Sequence, residues 1–143
     1  MRPRHATEAD LPDVEALLRS CSLPAGGIRC QAVKFHVSHD RNGLLGCAGI
    51  EEFGSIVGLL RGIAVTERAR GADLAGLLVS ALVADVRMRG IESLVVRTET
   101  AAGYFSRLGF TPIDREAIPP QLLTSREFSG TTVRSATVMK VEL

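Results

Sequence analysis

The stretch Glu67–Leu78, "ERARGADLAGLL", decides how this chain is read. It is an arginine-flanked turn with a glycine in it, and it opens an apolar helix. A helix N-terminus offers unpaired N–H groups and a partial positive charge, the combination that holds a phosphate. Arg68 and Arg70 add charge suited to a phosphate diester or a pyrophosphate. There is no Gly-Lys-Ser/Thr ending, so the turn is not a nucleotide P-loop, and there is no G-x-G-x-x-G fingerprint of a dinucleotide site. Taken alone, the turn reads equally well as an anion site or as an ordinary strand-to-helix turn with solvated arginines.

The helix it opens is expected over about Leu74 to Met88. Leu74, Leu77, Leu78, Ala81, Leu82 and Val86, with Val79 and Val83 beside them, make it apolar on most of its circumference, so it should be mostly buried. "RMRG" ends it, with basic residues at the negative end of the dipole and Gly90 as a stop. Upstream, "VKFHVSH" alternates, Val33, Phe35 and Val37 against Lys34, His36 and Ser38. Asn42-Gly43 signals a hairpin, "LLGCAGIEEF" returns, and a turn near Gly54-Ser55 leads into "IVGLLRGIAV". These three strands form an antiparallel meander. "MRPRHA" is a short first strand. "TEADLPDVEALLRSC" is a helix capped by Thr7, with Asp10 as the capping-box acid and Leu11, Val14, Leu17 and Leu18 as its stripe. Downstream, "ESLVVR" is a strand, "TAAGYFSRLG" a short helix closed by Gly109, "FTPID" a strand, "IPPQLLTSREFSG" loop and helix, and "SATVMKVEL" a terminal strand. The class is α+β on a largely antiparallel sheet.

The chain has 143 residues, 45% hydrophobic and 23% charged, with net charge +1. That suits one domain over residues 1–143. Near-neutral charge with five phenylalanines, one tyrosine and no tryptophan argues against a nucleic-acid partner. No apolar run nears the ~18 residues of a membrane span, and the N-terminus lacks a secretion-signal core. Three cysteines, Cys21, Cys30 and Cys47, are odd in number and irregularly spaced, which points to reduced thiols and a cytoplasmic setting.

"LLRGIAVTERARG", the apolar helix, a strand and then "TETAAGYFSRLGF" together resemble the GNAT superfamily of N-acetyltransferases. The likeness covers nearly the whole chain. With "PIDREAIP", "REF" and "SATVM" in the C-terminal half, it looks most like the arsenic-resistance N-acetyltransferases of arsenic operons. The resemblance implies a GNAT fold, a central sheet splayed at its middle strands, with acetyl-CoA as co-substrate. Arg70, Gly71, Ala72, Asp73, Leu74 and Ala75 match the turn that wraps the pyrophosphate, with Arg68 beside them. The cleft opens at Ile63, Ala64 and Val65, whose backbone pairs the pantetheine arm and supplies an oxyanion donor. A neutral small-molecule amine then attacks the thioester directly. An amino-acid-like antimetabolite, arsenical or not, is the acceptor that the resemblance suggests.

Two positions depart from the family pattern. Asp73 stands where glycine is usual; it tolerates positive φ and can cap the helix, but its charge opposes a diphosphate. Phe105 stands where many members have a tyrosine that protonates the departing sulfur, so it is left as a cofactor contact. Tyr104 is adjacent but turned by ~100° on a helix, and is a candidate donor or pocket wall. Base candidates are Glu51, next to Glu52 on the opposite face, and Glu99, whose alternative role is cap support with Thr98. A base acting through water also serves. Arg61, two residues before Ile63, should share its face and meet an anionic substrate group, or else pair with Glu51 or Glu52 across the hairpin. His36 and His39 point to opposite faces and His5 stands alone, so no metal site is expected. The competing reading is an acyl-CoA-binding module that has lost turnover. The terminal strand and "PPQLLTSREF" are candidate contacts of a homodimer, or pocket walls.

Overall fold

The computed structural model describes residues 2–30, 33–54, 56–124 and 136–143. The elements run in chain order as β1 (Arg4–His5), α1 (Leu11–Ser20), β2 (Val33–Asp40), β3 (Gly43–Phe53), β4 (Val57–Val65), α2 (Leu74–Met88), β5 (Ser93–Thr98), α3 (Ala102–Arg107), β6 (Thr111–Pro112) and β7 (Thr137–Glu142). They build one seven-stranded sheet in the order β1-β2-β3-β4-β5-β7-β6. Among the described residues only β4 and β5 pair in parallel; the other neighbours are antiparallel. This is the splayed, mostly antiparallel α+β sheet that the sequence predicts. Ser55, at the second turn, and residues 125–128 of "PPQLLTSREF" lie outside the described residues.

Helices cover both faces. On one, α2 and α3 pack Leu74, Leu78, Leu82, Val86 and Phe105 against Ile50, Leu60 and Leu94. On the other, α1 sets Val14, Leu17 and Leu18 against Phe35, Val37 and Cys47. Beside it on that face, Ile118 and Leu122 cover Val57, Leu59, Val95 and Val138. Because α2 lies on its far side, β2 is not a half-solvated strand: His36 and Ser38, predicted on the polar face, are buried. Leu77, predicted in the apolar stripe of α2, is 55% exposed. The first hairpin closes with Asp40 paired to Gly43, so Arg41 and Asn42 make the turn, one residue earlier than expected. β7 lies inside the sheet, between β5 and β6, which occupies part of the edge that a dimer through the terminal strand would need.

The cap of the first helix forms as predicted, through a 3-10 turn at Glu8–Asp10. The Thr7 N–H donates to the Asp10 carboxylate at 2.7 Å, and Arg4 holds both its oxygens at 2.9 and 3.0 Å. The Arg4 guanidinium, then the Thr7 bonds, hold this carboxyl well below the usual range. A depressed carboxyl stabilises the fold above the unfolded pKa of ~3.9, and that contribution fades as pH falls through the folded value. Asp10→Ala should therefore cost about 1–2 kcal/mol at pH 7. In urea unfolding the gap to wild type should narrow below about pH 4; a gap unchanged at low pH would contradict the ion-pair account.

Candidate active site

The sheet opens at its middle. The parallel ladder of β4 and β5 runs from Val57 opposite Ser93 to Leu60 opposite Val96, and stops. Residues 61–65 of β4 continue without pairing to β5, and among the described residues this leaves the backbone edge of 62–65 open to an extended ligand. The cause is local. Arg61 pairs with Gly49 and Ala64 with Cys47, so Ala48 faces two residues, Gly62 and Ile63. That is a β-bulge, which bends and twists the strand carrying it. Gly62 takes φ +62°, a left-handed conformation that glycine adopts without strain.

The bulge also corrects a predicted face. Arg61 and Gly62 both point toward α1, and a Cβ on Gly62 would lie 3.0 Å from the Phe35 ring. Ile63 instead packs on the α2 side with Val65, and Ala64 returns to the α1 side. Arg61 and Ile63 therefore face apart. Simple alternation fails because one extra residue sits between them.

Just past the fork, α2 begins. Asp73 takes φ +54°, and its carboxylate accepts the Gly76 N–H at 3.3 Å. Gly76 leaves room for this cap, since a Cβ on it would lie 2.5 Å from Asp73 Oδ2 and the carboxylate would have to shift. Among the described residues, the amides of Gly71, Ala72, Asp73, Leu74 and Ala75 have no protein acceptor. Gly71, Ala72 and Asp73 are exposed, and space beside Gly71 is open. The cradle is open to an anion, and Asp73 is both its cap and its electrostatic cost.

The two arginines of the turn are turned aside. Arg68 grips Asp40 with both Nη atoms, at 2.6 and 2.9 Å, and this holds the Asp40 carboxyl down to about 2. Arg70 donates to the Val65 carbonyl at 3.2 Å and to the Cys21 sulfur at 3.8 Å. Both must leave these partners to reach a diphosphate at residues 71–75.

Phe105 is 5% exposed and stacks edge-on with Phe110 and Tyr104. It is a core residue with no proton to give. Tyr104 is half-buried, and its hydroxyl has no partner among the described residues. Burial, and then the negative charge of Asp73, push this phenol up. A buried donor without an acceptor, beside open amides and a free strand edge, fits the phosphate-bearing, amide-rich acyl-CoA that the resemblance implies.

The α1 face of the fork is charged. Arg61 is 5% exposed; it meets Glu51 at 3.1 Å and the Gly26 carbonyl at 3.0 Å. The cross-hairpin pair weighed for Arg61 is thus present, with Glu51, and it occupies a carboxylate proposed as a base. Glu52 faces the other way and pairs with Arg89. Glu99 is exposed, 3.4 Å from Arg97, and the cap of the short helix comes from Thr98 Oγ1, which accepts the Ala101 N–H at 2.9 Å.

Arg97 itself was not singled out from sequence. The signal for it was the "LVVR" alternation: Val95 belongs to the α1-face cluster, and Arg97 lies two residues on, opposite Val138 of that cluster. Leu59 belongs to the same cluster and places Arg61 likewise. Since Leu60 opposite Val96 is the last pair, Arg61 and Arg97 are the next residues of the two diverging strands. Two guanidiniums flank the fork on one face.

Residues 31–112 match the profile of the acetyltransferase (GNAT) domain. No curated protein matches the chain in sequence. Among solved structures, it is similar to Rv2747 from Mycobacterium tuberculosis in complex with CoA, at 19% identity and TM-score 0.81 over 100% of this chain and 99% of that one. N-acetylglutamate synthase from Neisseria gonorrhoeae, complexed with coenzyme A and N-acetyl-glutamate, gives 18% identity and TM-score 0.82 over 99% of this chain. This chain spans only 34% of that longer protein. An aminoglycoside 6'-N-acetyltransferase complexed with coenzyme A gives 12% identity and TM-score 0.77 over 99% of this chain and 97% of that one. At these identities the likeness is one of fold.

Proposed function

The chain belongs to the GNAT acetyltransferase family, and from that premise we propose that it moves the acetyl group of acetyl-CoA to the primary amine of a small, carboxylate-bearing, amino-acid-like molecule. The observation that carries the acceptor class is the pair of arginines, Arg61 and Arg97, flanking the fork on the α1 face. A guanidinium suits a carboxylate because its forked donors match the two oxygens, and to offer them Arg61 must exchange Glu51 and the Gly26 carbonyl, and Arg97 must exchange Glu99, for the acceptor. The amino group of such an acceptor then lies at the mouth of the fork. An arsenical amino-acid analogue belongs to the same chemical class.

Acetyl-CoA supplies an activated thioester. The amides of residues 71–75 hold its diphosphate, since the Arg70 amide already donates to the Glu67 carbonyl, and Tyr104 Oη adds a donor. The free edge of β4 at Ile63, Ala64 and Val65 aligns the chain and offers an N–H to the developing oxyanion. With Glu51 engaged by Arg61, the amine's proton leaves through water or to Glu99. The thiolate departs without help from Phe105, which is tolerable for a thiol with pKa near ~8.5. With three free cysteines, the reading places the protein in the cytoplasm, and a homodimer would use the sheet edge that β6 leaves on β7.

The Asp73 charge and the missing Phe105 hydroxyl favour a second reading, an acyl-CoA-binding module without turnover. The test is release of CoA thiol with L-amino acids, their decarboxylated amines, and phosphinic or arsenical analogues. Carboxylated amines should be preferred by roughly 10- to 150-fold in kcat/KM, the worth of a hydrogen bond to a charged group. Arg97→Gln should erase the preference and spare the decarboxylated amines. Stabilisation by CoA without thiol release on any amine would favour the binding module, and no stabilisation would count against both.

A further inference from the structure

The register of β1 on β2 sets His5 directly across from His36. The two rings lie with centroids 4.4 Å apart, tilted at 44° to each other. His36 faces α2, and there Asp85 Oδ1 comes within 3.5 Å of His5 Nε2. One ligand atom from each of His5, His36 and Asp85 lies within 4.8 Å of the others. His5 is therefore not alone, as its place in the sequence suggested.

His36 is 6% exposed, and its Nδ1 has no hydrogen-bond partner among the described residues. A buried ring nitrogen without a partner is unfavourable unless something fills its coordination. Arg89 donates to Asp85 Oδ2 at 3.0 Å and also pairs with Glu52. That fixes the Asp85 carboxylate and leaves Oδ1 facing the imidazoles. The positive charge of Arg89 works against a cation here and limits its affinity. Two imidazole nitrogens and one carboxylate oxygen suit Zn2+ and its neighbours rather than Ca2+ or Mg2+. Bonds of about 2.0–2.1 Å in a tetrahedron need ligand atoms about 3.4 Å apart, so the cluster must close slightly. His5 can supply the movement, because its side chain is 61% exposed and it sits on a two-residue edge strand.

We infer that His5, His36 and Asp85 form a three-ligand site for a Zn2+-type ion that ties β1 to α2, with water completing the tetrahedron. The site lies at the far edge of the sheet, three strands from the fork, so it acts on stability and not on acyl transfer.

The test is calorimetric titration of the chelator-stripped full chain with ZnCl2, with thermal unfolding alongside. One ion should bind per chain and raise Tm. His5→Ala and Asp85→Asn should each weaken binding by roughly tenfold or more and remove the Tm shift. Cys30→Ser, which removes an exposed thiol, should change neither. No saturable binding in the wild type would overturn the site, and so would binding that survives His5→Ala but is lost in Cys30→Ser. His36→Ala is avoided because its burial makes unfolding a competing explanation.

Discussion

Asp73→Asn should bind acetyl-CoA about threefold to a hundredfold more tightly than the wild type, with little change in thermal stability. The range comes from one unit of repulsion against the diphosphate at about 6 Å, worth about 0.7 kcal/mol in water and about 2.8 kcal/mol at an effective dielectric near 20. Asparagine retains the side-chain oxygen that caps Gly76 and, like aspartate, tolerates φ +54° better than other residues with a side chain. The charge is then the only large change. Arg68 and Arg70 do not already cancel it, because Asp40 holds one and the Val65 carbonyl the other. Asp73→Gly separates the remaining terms: it removes left-handed strain and loses a cap worth only a few tenths of a kcal/mol relative to glycine. The gain should shrink as salt rises, since exposed charges are screened. A second readout needs no ligand. Tyr104 is the only tyrosine and there is no tryptophan, so phenolate absorbance follows one group. Asp73 raises that pKa, and removing its charge should lower it. Equal acetyl-CoA affinity at low salt for wild type and Asp73→Asn would remove the electrostatic account.

The residues that the sequence placed well share a cause: their structure is set locally. The α2 helix runs from Leu74 to Met88 because a cap, an apolar run and a basic-glycine stop lie within one short window. The meander follows from alternation and two turns. The opening of the sheet was anticipated at about Ile63–Val65 by resemblance, and the ladder ends a little earlier, at Leu60 opposite Val96. What was misjudged depends on which residues meet across the sheet. A bulge is invisible to alternation, so the face of Arg61 was assigned with Ile63. His5 and His36 are thirty-one positions apart, and only the β1–β2 register makes them neighbours. Arg97 gains its meaning from the register of a parallel pair whose partner strand lies 36 residues earlier, since Leu60 stands opposite Val96. The polar face of β2 reads as exposed until α2 is laid over it.

Gly62→Val should destabilise the fold by about 2–5 kcal/mol and should abolish acetyl-CoA binding in whatever fraction remains folded. Two costs add. A left-handed φ costs about 1–2 kcal/mol for an L-residue and more for a β-branched one. Its Cβ would also meet the Phe35 ring at 3.0 and 3.1 Å, and overpacking a filled core costs about 1–3 kcal/mol more. Phe35 cannot easily yield, being 3% exposed and already against Gly49. The functional loss has a separate origin. If the chain escapes the strain by giving up the bulge, β4 straightens and its residues 61–65 can pair on alongside β5. The free edge for the ligand is then gone, and Arg61 no longer shares a face with Gly62. Urea unfolding measures the first effect and calorimetric titration with CoA the second. The double variant Gly62→Val/Phe35→Leu distinguishes clash from backbone strain. It should be less destabilised than the sum of its singles, because the smaller side chain makes room for the valine, while CoA binding stays lost. A Gly62→Val protein that binds CoA normally would show that the gap between β4 and β5 does not depend on the bulge.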